Sequence, residues 1–281
     1  MEGSGRFDIP ADPVQNHPMR VPACILLSLA ALTAAADPPL RLALSAGADG
    51  LRTAQDWNIA AESFRARTGV GVEPLLAATG EAILRSLDVR EAEAAVLDAA
   101  VYLRNRDRLR ILGIAVEFGS PYERFLLAAG ADSVIHRPED LSRARLVLAS
   151  GPGSLPWDLP LAWARRYRGP ASGASDPRPE AGYEGVLRSI ALDLADAGFL
   201  PEGFLEGRKS SALADRVRIV AATPPYPLAV LVARRDLAGD RAALAERLLG
   251  LSAGAMELRS PPPDLESVLS DLEEALRASG P

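Results

Sequence analysis

Apolar residues in this chain fall into two alternating patterns. Short unbroken runs are bounded by Gly, Pro or Ser, and longer stretches carry apolar residues three or four apart. Residues 40–44 form a first short run ending at Ser45-Ala46-Gly47, a strand followed by a loop. Asp56 is placed to cap a helix in which Trp57, Ala60, Ala61 and Phe64 share one face. Thr68-Gly69 closes that helix with a residue suited to a left-handed cap. A second strand is predicted over 70–76 and a helix around Ile83, Leu84 and Leu87. Further strands are predicted over 94–97 and 109–116. Alternation of this kind predicts a mostly parallel sheet covered by helices on both faces.

The second half repeats the style from a fresh start. A strand over 125–129 leads into a turn over 133–141, where Pro138 opens a short helix. The strand over 145–149 runs into Ser150-Gly151-Pro152-Gly153-Ser154, followed by a helix over 156–167 and a breaker-rich linker over 168–182. Residues 183–194 are helical by spacing and 195–199 extended. Strands over 217–222 and 228–232 flank Pro224-Pro225-Tyr226-Pro227. Two capped amphipathic helices begin near Asp240 and, after three prolines, near Asp264. No short-period repeat is present.

One apolar segment fits neither pattern. Residues 19–36 combine Arg20, a run from Ile25 to Leu32, and Ala34-Ala35-Ala36 directly before Asp37. A positive start, an apolar middle and small residues at the end are the marks of a removable export peptide. No other run approaches the roughly 18 apolar residues that cross a bilayer. A buried N-terminal helix is the alternative, but Asp37-Pro38-Pro39 follows at once and a new strand pattern begins. The start is expected at Met19; otherwise residues 1–18 are an extended n-region or a disordered tail. Cys24 precedes most of the apolar run, where a lipid-attachment cysteine would follow it, so it belongs to the discarded peptide. The expected location is periplasmic.

Composition narrows the chemistry. The net charge is −6, and that mild acidity argues against a nucleic-acid partner. Lys209 is the only lysine among 31 basic residues, a skew that reflects a GC-rich genome more than phosphate recognition. Beyond Ala36 there is no cysteine and therefore no disulfide framework. His136 is the only histidine there, so metal binding through imidazole is nearly excluded and neither a metal nor a cofactor is expected. The length suits two mid-sized lobes or one large α/β domain.

In order, these pieces resemble the periplasmic phosphate/phosphite/phosphonate-binding proteins of ABC importers over residues 40–249. The helix ending "FRARTGVGVE", the segment "EAAVLDAAVYL" and "YERFLLAAGADSVIHRPEDLSRARLVLAS" are similar to successive parts of that family, as is "RVRIVAATPPYPLAVLVARRDL". The resemblance implies an α/β, two-lobed periplasmic-binding-protein fold, each lobe a mostly parallel sheet flanked by helices, joined by two crossing hinge strands. The lobes would be 37–124 plus 226–281, and 125–225. A small anion would sit in the cleft, held by helix N-terminal amides and short hydroxyls, and hinge closure would shield it. ABC permease subunits are the implied partners, and the protein is expected to act as a monomer.

Carried over position by position, the implied ligand residues are Ser45, Tyr102, Ser133, Gly153, Ser154 and Tyr183. Several neighbours depart from the family pattern. Asp98 and Val101 replace the Gly and Ser of its Gly-Pro-Ala-Ser-Tyr turn, and Asp98 facing an anion would be repulsive unless paired. Glu81 stands where a tyrosine is common, and Tyr183 where a histidine reaches the ligand. Pro152 offers no N–H, so the turn before 156 is either an anion-gripping loop or an ordinary Gly-Pro turn. Tyr102 after an apolar strand also fits a core residue, and Ser133 a helix cap. Two functional readings stay open: capture of phosphate, phosphite or a phosphonate, or the same fold turned to another solute or to a sensor.

Enzyme classes lack their signatures. There is no G-x-S-x-G elbow, P-loop or dinucleotide fingerprint, and paired acids such as Glu91/Glu93 and Glu273/Glu274 suit solvated faces. A third class, an interaction protein on this fold, would have its cleft filled by bulky side chains such as Trp157, Phe199 or Tyr226.

Overall fold

The protein's structure, a computed structural model, describes residues 38–46, 50–168 and 176–277. The expected export segment at 19–36 and Cys24 lie outside the described residues. Leu40, Leu42, Ala43 and Leu44 are buried, which makes β1 (Leu40–Ser45) a strand enclosed on both faces. Helix α1 (Gly50–Thr68) buries Trp57, Ala60, Ala61 and Phe64, the face expected from their spacing. It begins at Gly50, not at an N-cap on Asp56. Residues 51–55 contain no breaker and lie mostly at the surface, so they continue the helix without contributing to its apolar stripe. β2 (Val72–Ala77) leads to α2 (Gly80–Asp88), whose N-cap Thr79 accepts from the Ala82 N–H at 3.2 Å. β3 (Ala94–Asp98) is followed directly by α3 (Ala99–Leu103), a helix the apolar spacing does not signal, and then by β4 (Leu109–Val116).

The chain then passes to a second sheet through β5 (Phe125–Gly130). A 3-10 turn over Pro138–Arg143 precedes β6 (Leu146–Ala149) and α4 (Leu155–Arg168). The segment expected to be a linker holds β7 (Arg178–Glu180), too short to carry a periodic signal; α5 (Tyr183–Ala191) and β8 (Ala197–Pro201) follow. After α6 (Glu202–Glu206), β9 (Val217–Ala222) ends the second sheet. β10 (Ala229–Arg234) returns to the first, followed by α7 (Asp240–Glu246), β11 (Ser252–Ala253), β12 (Met256–Arg259) and α8 (Leu265–Arg277).

The first sheet has the order β11-β12-β4-β10-β3-β1-β2 and the second β7-β6-β8-β5-β9. Most strands of each sheet point one way. β10 in the first and β5 in the second, the strands by which the chain enters after crossing, run against both neighbours, as β12 does in the first. The two crossing segments pair with each other. Glu123 and Tyr226 exchange N–H···O bonds of 2.9 Å each, and the Thr223 Oγ accepts from the Phe125 N–H at 3.0 Å. One apolar core runs through both sheets, joining Leu97 and Ile114 of the first to Leu127, Leu148 and Phe199 of the second.

Candidate functional site

Loops at the ends of strands of both sheets enclose a cavity of about 590 Å³. The first sheet contributes Ser45 at the end of β1, Asp98 at the end of β3 and Glu117 just past β4; Thr79 and Glu81 come from the start of α2. The second contributes the turn from Ser150 to Ser154 and Tyr183 at the start of α5. The lining therefore holds three carboxylates, and no Arg, Lys or His among the described residues.

The turn before α4 is tightly organised. Ser150 has φ of 64° and Gly153 of 90°, left-handed values that glycine adopts without strain. The Ser154 hydroxyl donates to the Gly151 carbonyl at 2.8 Å, and the Gly153 N–H donates to Asp158 Oδ1 at 3.0 Å. Arg104, just past α3, donates to Asp158 Oδ2 at 3.1 Å and to the Gly153 carbonyl.

Asp98 joins elements of the two sheets. As N-cap of α3 its Oδ1 accepts from the amides of Ala100 at 2.8 Å and Val101 at 3.4 Å. Its Oδ2 accepts from the Leu155 amide, at the start of α4, at 2.7 Å. Burial pushes its carboxyl up to about 6, against the lowering effect of those amides and of Arg104. Burial likewise raises the Glu117 carboxyl, helped by the charge of Glu123. Tyr183 is held well above the usual phenol range, first by burial and then by Glu117, Asp98 and Glu123. Its ring is set by aromatic neighbours, with centroids 6.5 Å from Phe125 and 5.6 Å from Phe204.

Of the six sequence-derived ligand residues, four surround the cavity: Ser45, Gly153, Ser154 and Tyr183. Tyr102 is buried in the core shared by both sheets and lies outside the lining. Ser133 lies after β5, where its hydroxyl donates to the Asp196 carbonyl at 3.3 Å and accepts from the Ile135 amide at 3.2 Å. Trp157, Phe199 and Tyr226 also pack in the core and leave the cleft open. Sequence reasoning gave no site role to Glu117, Thr79 or Arg104. For Asp98 an acid directly before Ala-Ala is an N-cap signal, yet its partner Leu155 has no local signature.

Comparisons with known proteins agree with this architecture. The family model described as ABC transporter, phosphonate, periplasmic substrate-binding protein matches residues 46–273. XAC2383 from Xanthomonas citri, solved bound to ATP, is similar with a TM-score of 0.69 at 18% identity, over 85% of this chain and 97% of that one. PhnD1 from Prochlorococcus marinus (MIT 9301), solved in complex with methylphosphonate, gives 0.65 at 13% identity, over 85% and 97%. The periplasmic aliphatic sulphonate binding protein SsuA from Escherichia coli gives 0.55 at 14% identity, over 87% and 94%. At such identities the likeness is one of fold. A search of curated proteins finds no significant match. The family match spans most of the chain, which therefore belongs to the phosphonate family of ABC-transporter periplasmic substrate-binding proteins, solute binders and not enzymes.

Proposed function

We propose that this chain is an exported solute-binding protein of an ABC importer whose cleft takes an uncharged or cationic solute, not a phosphonate-class anion. The observation that carries the reading is the lining itself, with Glu81, Asp98 and Glu117 and no cationic side chain among the described residues. An anion about 6 Å from one carboxylate, at an effective dielectric of about 20, is repelled by about 3 kcal/mol. A single charge-assisted hydrogen bond returns about 1.5–3 kcal/mol. The lining carboxylates therefore outweigh the few hydroxyls at the cavity, of which Ser154 already donates to the Gly151 carbonyl. The narrower reading, capture of phosphate, phosphite or a phosphonate through Ser45, Tyr102, Ser133, Gly153, Ser154 and Tyr183, draws support from the family and from the four of those residues at the cavity. It is opposed by the charge of the lining.

Export through residues 19–36, lobes of 37–124 plus 226–281 and of 125–225, and action as a monomer complete the proposal. The sorting of strands into two sheets and the paired crossing segments support a hinge at Glu123 and Tyr226. The test is a thermal-shift screen of the purified chain against phosphate, phosphite, methylphosphonate and sulfate, set beside choline, ethanolamine, small diamines and neutral sugars. A ligand of the folded state raises the melting temperature by mass action. Stabilisation by an amine or a neutral solute is expected; stabilisation confined to the phosphorus anions would overturn the reading. No response to any solute would favour a sensor or interaction role.

A further inference from the structure

Helix α4 has 14 residues; its second, Pro156, has no N–H, and the Trp157 and Asp158 amides go to the Ser154 carbonyl, so Leu155 carries the one first-turn amide left for an outside acceptor. Such a helix start, with its partial positive charge, is where an oxyanion would dock. Here the place is already taken. The Leu155 amide is given to Asp98 Oδ2 at 2.7 Å, from a residue 57 positions earlier on the other sheet. Gly153 N–H, the neighbouring donor of the same turn, is given to Asp158 Oδ1 at 3.0 Å. Capping α3 occupies only Oδ1 of Asp98. The second oxygen reaches across the cleft, and Arg104 secures the same junction through Asp158 and the Gly153 carbonyl.

We propose that Asp98 is a specificity-determining residue, a tethered carboxylate that fills the oxyanion position at the start of α4 and so refuses phosphate-class anions. The inference rests on the reading that the cleft takes a different class of solute. A free anion must displace a group attached to the chain, whose effective concentration is on the order of millimolar or above. It must also sit beside Glu81 and Glu117, which line the same cavity. The solute is then gripped elsewhere in the cavity, with the start of α4 sealed.

The decisive experiment titrates methylphosphonate and inorganic phosphate into the full chain by calorimetry. Wild type is compared with Asp98→Gly, which frees the Leu155 amide, and with Asp98→Gly/Glu117→Gln, which also removes the next charge. Wild type is expected to give no binding at about 1 mM anion, and the double variant at least a tenfold gain in affinity. Should Asp98→Gly fail to melt cooperatively, Asp98→Ser takes its place: its hydroxyl still caps Ala100 but is too short to span to Leu155. Folded variants as silent as a silent wild type would overturn the role of Asp98 alone. A wild type that binds methylphosphonate tightly would instead overturn the reading beneath it.

Discussion

Replacing Asp98 by Asn should change how stability depends on pH, and by a calculable amount. The Asp98 carboxyl has an ordinary value of 3.8 and is pushed by burial up to about 6 in the folded protein. The folded state thus holds the proton more tightly than the unfolded chain. That contribution to stability is complete below 3.8 and is lost as pH rises through about 6. A gap of about two pH units corresponds to about 3 kcal/mol, an upper figure because Asp98 keeps some surface at the cavity. Between about pH 4.5 and pH 7.5 the portion lost is about 2 kcal/mol. The charged or titratable groups around it are Arg104 past α3, Asp158 on α4, Glu81 on α2, Glu117 past β4 and Tyr183 on α5. All of these remain in the variant. Asn does not titrate, and its amide facing the Leu155 N–H adds a penalty of about 1–3 kcal/mol that is the same at every pH. Urea unfolding followed by tryptophan fluorescence should therefore show the variant gaining about 2 kcal/mol on wild type from about pH 4.5 to pH 7.5. A difference that stays constant, or that moves the other way, would refute the assignment of Asp98 as a buried acid held near neutrality.

Three further outcomes test the packing. Phe199 is 1% exposed and meets the Trp163 ring edge-on at 5.6 Å, so Phe199→Ala should cost about 3–5 kcal/mol in denaturant unfolding. A methyl group on Gly113 would come within 2.6 Å of both the Arg259 carbonyl and Leu249 Cδ2. Gly113→Ala should therefore push β12 from β4 and lower stability by about 1–3 kcal/mol, seen as a reduced melting temperature. Asp196 accepts from the Arg145 side chain at 2.7 and 3.1 Å and from its amide at 2.7 Å, and the hydrogen bonds from Arg145 hold its carboxyl below the usual range. The stability it supplies is present above the ordinary carboxylate value and lost as pH falls through the lowered one. Because Arg145 is more than half exposed, Asp196→Asn should cost only about 1 kcal/mol at neutral pH. Melts taken at falling pH below 3.8 should bring the two proteins progressively together.

Apolar runs such as those of β1 and β4 and stripes such as Trp57, Ala60, Ala61 and Phe64 were legible in the sequence, because a strand or helix writes its period into neighbouring residues. Their order along the chain also carried the resemblance that the family match bears out. The start of α1 was not legible, since its first turn is mostly exposed and leaves no apolar mark. Nor were β7, β11 and β12, which at two to four residues are too short to show a period. The site divides along the same line. Local sequence places Asp98 just past a strand and Ser154 at a turn. Only the tertiary fold brings Asp98 to Leu155, sends Tyr102 into the core and gathers Glu81, Asp98 and Glu117 around one cavity. Sequence alone determined the longer elements and, through their order, the family, because a long strand or helix is set by contacts within a few residues. The charge of the cleft depends on residues tens of positions apart, brought together where β10 inserts between β3 and β4 and the chain crosses twice between sheets.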